Sequence, residues 1–143
     1  MIYKQYDQFL ISDDKSLLDI DVIVGFLGRS YWADKRKRAT IEASIRGSHC
    51  IGLYDSGRQI GFARVITDFA TMYWLCDVFI DEAYRGRGLG KIFIETIIES
   101  DELRNLTGTL ATKDAHSLYE QYGYVRDEGT CMRRRPDFLK NTE

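Results

Sequence analysis

The chain has 143 residues, enough for one domain with a full hydrophobic core and no need of disulfides or a metal. Its hydrophobic share of 44% and charged share of 29% are typical of a globular protein and exclude a disordered or collagen-like chain. The formal net charge is −2, so no overall field draws the protein to nucleic acid or to an anionic membrane. We therefore expect a single domain over residues 1–143 whose binding sites are local.

The cysteines and the N-terminal residues indicate where the protein works. Its three cysteines lie far apart and form no CxxC pair, so they predict neither a disulfide framework nor a metal site. Residues 1–10 lack the apolar stretch of a signal peptide, and the best apolar run, Val22–Leu27, is far shorter than the ~20 residues of a membrane span. These features predict a cytoplasmic protein with no membrane partner and no bound metal.

The first half of the chain begins with a strand and two helices and continues with a β-meander. Tyr6–Ser12 is typical of a strand, Leu17–Leu27 has apolar residues at helical spacing, and a short helix around Ala39–Ile45 ends near Gly47. Three strands follow: His49–Tyr54, Gln59–Thr67 after a glycine-containing turn, and Thr71–Ile80. The last of these is apolar on both faces except for one aspartate, which predicts a central strand.

The second half predicts two more helices. One runs from Gly88 to Ser100, with its apolar residues on one face, and a strand follows at Asn105–Ala111. Asp114 is a candidate cap for the last helix, and Gly123 suits the position just after its end.

Two short closing strands, Tyr124–Arg126 and Thr130–Arg134, complete the predicted elements. The predicted order is β-α-α-β-β-β-α-β-α-β-β. This order is typical of an α+β fold with a mixed sheet.

The segment Arg85–Lys91 joins the predicted central strand to an amphipathic helix and contains three glycines. Glycine lets successive backbone N–H groups turn toward one point, and a helix N-terminus adds partial positive charge. With three cationic side chains in the segment, a phosphate or pyrophosphate is the expected occupant. The spacing fits neither a Walker A loop nor the GxGxxG dinucleotide motif, because Arg85 and Lys91 stand where those motifs need glycine.

The spacing that does fit is Arg/Gln-x-x-Gly-x-Gly/Ala, with Arg85, Gly88 and Gly90 in the diagnostic positions. This resembles the phosphate loop of the GNAT superfamily of acyl-CoA-dependent N-acyltransferases. The downstream segment Ala115–Tyr124 resembles that family's A-x-x-L-Y-x-x-x-G-F/Y helix, and the predicted element order agrees over nearly the whole chain. Two positions depart from the family pattern: Glu82 replaces a frequent proline, and Thr112 a frequent asparagine.

The resemblance implies an N-acetyltransferase domain that uses acetyl-CoA and releases CoA. In the family the sheet is mostly antiparallel, and acyl-CoA lies where its fourth and fifth strands splay apart, with the pantetheine on the fourth strand. The residues that the resemblance assigns to acetyl-CoA binding are Val78, Phe79, Ile80, Arg85, Gly86, Arg87, Gly88, Leu89, Gly90, Lys91, Thr112 and Ser117.

Transfer from a thioester to an amine requires a neutral nucleophile, a stabilised oxyanion and an acid for the leaving thiolate. The resemblance selects Tyr119 as the acid, since a phenol of pKa about 10 stays protonated at neutral pH. A backbone N–H near Val78 would meet the oxyanion. Asp77, Glu42 and ordered water stay open as the general base.

Asp77 is the single charge in an apolar strand, where an unpaired carboxylate would cost several kcal/mol. Strict alternation places it on one face with Tyr73, Leu75 and Phe79. The predicted acceptor pocket, anionic and aromatic-walled, consists of Tyr31, Trp32, Tyr73 and Asp77. In this pocket Asp77 is predicted to bind the acceptor's ammonium group and to help remove its proton. A structural role, such as a hydrogen bond to a neighbouring strand, is the alternative.

Other reactive or charged residues fit structural roles. Cys76 lies in an apolar strand with no nearby histidine, which favours a packing role over nucleophilic catalysis. The basic runs Lys35–Arg38 and Arg133–Arg135 are typical of solvated surfaces, although the first could contact an acidic substrate or the CoA ribose phosphate. His49 has no identifiable partner, and His116 suits a structural position at a helix start.

Two other classes of function compete with the enzyme. A non-catalytic acyl-CoA sensor or partner-binding module would keep the glycine loop without needing Tyr119, and a nucleic-acid binder is disfavoured by the net charge of −2. The acceptor is expected to be a small-molecule or peptide amine of unspecified identity. The oligomeric state, including a homodimer, and the use of larger acyl groups stay open.

Overall fold

The computed structural model describes residues 1–140 and contains a six-stranded sheet whose strands lie in sequence order. The strands are β1 (Tyr3–Tyr6), β2 (Phe9–Ser12), β3 (His49–Asp55), β4 (Arg58–Thr67), β5 (Met72–Ile80) and β6 (Thr107–Leu110). Neighbours from β1 to β5 are antiparallel, whereas β6 runs parallel to β5. This confirms the predicted α+β class with a mostly antiparallel sheet.

Four α-helices accompany the sheet in the described part of the chain. They are α1 (Ile20–Gly28), α2 (Arg38–Arg46), α3 (Leu89–Ile98) and α4 (His116–Glu120), with short 3₁₀ turns at Lys15–Leu17, Glu82–Tyr84 and Asp137–Leu139. The chain forms two compact units: Met1–Ala111, with the sheet and the first three helices, and a second that begins at Thr112 and contains α4.

Apolar periodicity explains how the helices pack. The helix α1 starts where the Asp19 carboxylate accepts a hydrogen bond from the Val22 N–H at 3.2 Å, and it buries Ile23, Phe26 and Leu27. These side chains join Ile41 and Ile45 of α2 in one cluster with residues of the sheet. The Phe26 ring stacks on that of Phe79 from β5, with centroids 5.0 Å apart.

The prediction of one first strand over Tyr6–Ser12 is wrong. Only Phe9–Ser12 of that segment is one strand, β2, which pairs antiparallel with β1 across the turn Asp7–Gln8. Asp7 adopts a left-handed φ of +51°, a conformation that aspartate tolerates better than most residues. The β1 strand escaped prediction because all four of its residues are exposed, so it has no buried apolar face.

The predictions at the other end of the chain also need correction. Tyr124–Arg126 and Thr130–Arg134 are not strands; the described residues there have no regular structure. The apolar side chains are outside, with Val125 86% and Met132 96% exposed, so no buried face supports a strand. Asp114 does not cap α4 either: the Thr112 hydroxyl accepts the Ala115 N–H at 3.0 Å instead.

Candidate acyl-CoA and acceptor site

The glycine loop has the conformation that an anion site requires. It leaves β5 through a 3₁₀ turn and enters α3, with left-handed φ angles of +80° at Gly86 and +78° at Gly88. Gly88 occupies the N-cap position of α3, where no side chain caps the helix. A Cβ on either glycine would meet no atom of the structure within 4 Å, so the loop faces open space.

The arginines of the loop fold back onto its supporting strand and turn. The Arg85 Nε donates to the Ile80 carbonyl at 3.0 Å, and its guanidinium lies 4.9 Å from the Phe79 ring centroid. Arg87 donates to the Ala83 carbonyl at 3.4 Å. Each guanidinium carries five N–H donors, so both can still bind a phosphate oxygen. Lys91, in the first turn of α3, is exposed.

Glu82 ties this turn to α1. Its carboxylate accepts two hydrogen bonds from the Arg29 guanidinium, at 2.8 and 3.0 Å. The Arg29 guanidinium lowers the pKa of Glu82 to about 2, so the pair stays ionised at neutral pH. The residue that departs from the family's proline thus holds the turn by a bidentate ion pair.

β5 is only half covered along one edge. Its pairing with β6 begins at Met72–Thr107 and ends at Leu75–Leu110, whereas β5 continues to Ile80. Within Met1–Ala111, Cys76–Ile80 therefore has a strand partner only on the β4 side. β5 and β6 are the fourth and fifth strands of the sequence prediction, and because β6 ends beside Leu75, no strand of this unit covers the edge at Val78–Ile80.

A β-bulge in β5 separates the open half of the strand from the paired half. Phe62 of β4 pairs with Phe79 and Arg64 pairs with Cys76, so β5 carries one extra residue between these pairs. Asp77 lies in this bulge with a left-handed φ of +53°. The bulge is the feature that interrupts the alternation of side chains along β5.

The prediction that Tyr73, Leu75, Asp77 and Phe79 share one face is therefore wrong. Paired residues share a face, so Phe79 and Cys76 lie on the face of Phe62 and Arg64. Leu75 pairs with Val65 and Tyr73 with Thr67, which lie on the opposite face. Tyr73 is thus not brought together with Trp32.

The Asp77 carboxylate is buried and fully engaged. Its Oδ2 accepts hydrogen bonds from Arg36 Nη1 and Arg64 Nε, each at 2.8 Å, and its Oδ1 accepts one from Trp32 Nε1 at 3.0 Å. The side chain of Asp77 is only 2% exposed. These contacts supply the structural partners that the sequence left open, and we call these four residues the Asp77 cluster.

Replacing Asp77 with alanine should lower the free energy of unfolding by about 3 to 5 kcal/mol, because Arg64 would keep a buried charge without its partner. Urea denaturation measures this directly. Asp101→Ala is the matched control, since Asp101 pairs with Arg104 at the surface and is 85% exposed. An Asp77→Ala protein as stable as the control would contradict the prediction and favour acceptor binding by Asp77.

The aromatic pair Tyr31–Trp32 lies between α1 and α2, with ring centroids 4.9 Å apart in an edge-to-face arrangement. Tyr31 is 50% and Trp32 40% exposed. Since the Trp32 indole N–H is bound to Asp77, the exposed ring is held beside the bulge. Three of the four predicted acceptor residues, Tyr31, Trp32 and Asp77, are thereby brought together.

In the second unit, Tyr119 lies in α4 and is 8% exposed. Its ring packs edge-on against Tyr124 at 5.8 Å. The helix ends earlier than predicted, at Glu120 with Gln121 as its C-cap, and Gly123 lies two residues beyond that cap with a left-handed φ of +86°. Ser117 is exposed on the same helix, and Thr112 precedes it.

The other candidates have structural surroundings. Burial raises the pKa of Cys76 to about 11, so its thiol stays protonated and weakly nucleophilic at neutral pH. Glu42 accepts a hydrogen bond from Arg38 at 3.0 Å on α2. Burial lowers the pKa of His49, and its Nε2 has no hydrogen-bond partner within residues 1–140.

Sequence patterns included Arg36 only as one of a run that could contact an acidic substrate, and they missed Arg64. Arg36 stands in a charged run typical of solvent, and nothing in the sequence shows which of its four cations turns inward. Arg64 was detectable, since it is a charged residue inside the otherwise apolar stretch Ile60–Ile66.

The helices of residues 1–140 include none with the length and apolar character of a membrane span.

An acyltransferase of the acetyltransferase kind is the class of protein that this fold defines. The family model for the acetyltransferase (GNAT) domain matches residues 46–126, more than half of the chain. The chain belongs to the GNAT family.

Similar proteins agree with this assignment. A protein from Xanthomonas campestris pv. campestris, assigned to the GNAT family of acetyltransferases, is 36% identical; the match has a TM-score of 0.87 and covers 96% of this chain and 99% of that one. A Clostridium acetobutylicum structure, named as a predicted acetyltransferase with acetyl-CoA, shares the fold at 13% identity and a TM-score of 0.63, over 89% and 94% of the two chains.

One curated relative, from Gibberella zeae and assigned as an acetyltransferase, is 28% identical over 112 residues. The match covers 64% of this chain and 63% of the relative, so the chain spans less than two thirds of that protein's length.

Proposed function

We propose that the protein transfers an acetyl group from acetyl-CoA to an amine by direct attack in a ternary complex. The observation that carries this proposal is the succession of an open edge on β5 and an uncapped, glycine-rich helix start directly after it. A pantetheine chain needs strand amides, and a pyrophosphate needs converging N–H groups and cations. Along the chain the open strand edge comes first and the helix start second. CoA carries its pantetheine and its pyrophosphate in the same order when it is followed from the thiol.

In this proposal each part of acetyl-CoA has its own residues. Val78, Phe79 and Ile80 would pair with the pantetheine amides through their main chain. The loop from Arg85 to Lys91 would hold the pyrophosphate, as Gly86 and Gly88 allow close approach of the backbone. Thr112 and Ser117 stay predicted contacts on the strength of the family motif.

The reaction follows from the chemistry of a thioester. The neutral amine attacks the carbonyl carbon, and a backbone N–H near Val78 stabilises the oxyanion. The C–S bond then breaks, and the Tyr119 hydroxyl donates a hydrogen bond or its proton to the leaving thiolate. The acetylated nitrogen loses a proton through ordered water, because the Asp77 carboxylate is held by two arginines.

The experiment is a turnover assay of the purified chain with acetyl-CoA and a panel of amines, following release of the CoA thiol and the mass of the product. Amine-dependent thiol release supports the proposal. Calorimetric binding of CoA without turnover on any amine would contradict it and favour the non-catalytic acyl-CoA sensor.

A further inference from the structure

The charges of the Asp77 cluster do not balance. Two guanidinium groups, Arg36 and Arg64, meet a single carboxylate, and both hydrogen bonds go to the same oxygen of Asp77. The neighbouring thiol adds no negative charge, since burial raises the pKa of Cys76 to about 11. The cluster therefore carries a net charge of +1 at neutral pH, the opposite of the anionic pocket that the sequence predicted.

The two arginines differ in what they can still bind. Arg64 has a side chain 12% exposed and also donates to the Ser48 hydroxyl at 3.1 Å. Arg36 is 25% exposed, and within residues 1–140 its guanidinium donates only to Asp77. Arg36 thus presents unused N–H donors at the edge of a positively charged cluster. A planar oxyanion is the group that a guanidinium binds best.

The position of the cluster relates it to the acceptor rather than to the pyrophosphate. Asp77 lies in the bulge, directly before Val78–Ile80 and at the level where the pairing of β5 with β6 has ended. The glycine loop lies beyond the other end of this open half-strand. The exposed ring of Trp32, fixed by its bond to Asp77, adds an apolar wall beside Arg36.

We infer that the acceptor is an amino acid or another amine that also carries a carboxylate, and that Arg36 binds this carboxylate. The inference rests on the proposed function and specifies its substrate class. Arg36 then orients the amine toward the thioester, Asp77 positions Arg36 and Trp32, and Arg64 supplies the second positive charge. A purely cationic amine would be repelled by the same cluster.

The test compares each amino acid with its own amide, which keeps the amine and the side chain but lacks the negative charge. For the wild type, kcat/KM should be at least about 10-fold higher for the acid. Arg36→Met should raise KM for the acid by roughly 10-fold to 100-fold, the usual loss for a hydrogen bond to a charged group. It should not raise KM for the amide, because it removes a positive charge that repels this cationic amine. CoA affinity should stay at its wild-type value in calorimetry.

Lys35→Met is the matched control, because it removes one positive charge from the adjacent exposed position outside the cluster. It should change neither KM. Arg36→Lys keeps the ion pair with Asp77 but not the planar fork, so it should stay folded and lose part of the acid preference. If Arg36→Met has a lower melting temperature than the wild type, the acid preference of Arg36→Lys tests the inference instead.

The outcomes distinguish a failure of this inference from a failure of the proposed function. Equal kcat/KM for the acids and their amides would overturn this inference but not the proposed acetyl transfer. The same holds if Arg36→Met and Lys35→Met raise KM for the acid equally. Absence of turnover with every acid, amide and simple amine, despite CoA binding, overturns the proposed function itself.

Discussion

Replacing Tyr119 with phenylalanine should lower kcat by roughly 100-fold to 10,000-fold, the usual effect of losing a general acid. The change removes one hydroxyl and keeps the ring, whose edge-to-face contact with Tyr124 at 5.8 Å needs no oxygen. We therefore expect the variant to stay folded and its affinity for CoA to match the wild type. Steady-state kinetics with acetyl-CoA and an accepted amine gives the measurement.

Tyr124→Phe is the matched control, since it removes a hydroxyl from the ring that packs on Tyr119. It should keep turnover within a few-fold of the wild type. If Tyr119→Phe turned over normally, Tyr119 would be a packing residue, and the proton would reach the thiolate from water or from Tyr122.

Replacing Gly88 with valine should abolish CoA binding. Gly88 has a φ of +78°, which a β-branched residue adopts only under strain, and the new side chain would fill the open space where the pyrophosphate is proposed to lie. Calorimetry with CoA reports the loss. An affinity equal to that of the wild type would show that the pyrophosphate of CoA does not bind at this loop.

The control for backbone strain is Gly57→Val in the turn between β3 and β4. Gly57 has a similar φ of +88°, and a Cβ there also meets no atom within 4 Å. Both variants should lose a similar amount of stability, about 1 to 2 kcal/mol. Only Gly88→Val should lose CoA binding, so a comparison of the two separates strain from obstruction of the site.

Much of the fold could be predicted because its patterns are local. The periodicity of Leu89–Ile98 and the turn between β3 and β4 place α3 and the central hairpin within a few residues of their observed bounds. Local patterns failed near the two ends of the chain. They did not predict β1, and they predicted two closing strands that the described residues do not form. Neither Tyr3–Tyr6 nor Thr130–Arg134 has a buried face, so packing rather than pattern decides whether such a segment pairs.

The site was predictable where its chemistry lies in one segment. The glycine loop is continuous in sequence, so its three glycines, its cations and the helix start that follows together predict an anion site, and the left-handed glycines that such a loop needs are present. The Asp77 cluster joins residues that are 41 and 13 positions apart in its two ion pairs, and no periodicity links them. The bulge made the predicted faces of the β5 side chains wrong, because one extra residue moves every later side chain to the opposite face of the sheet.

The half-covered β5 also has a thermodynamic consequence. A ligand that lies along Val78–Ile80 binds the folded chain and not the unfolded one, so by mass action it raises the stability of the fold, by about 2.7 kcal/mol at a concentration 100 times its Kd. Within Met1–Ala111 no strand pairs with that edge, and unpaired strand edges of this kind favour pairing between molecules. If that ligand is acyl-CoA, as proposed, its concentration sets both the rate of transfer and the protein's resistance to unfolding.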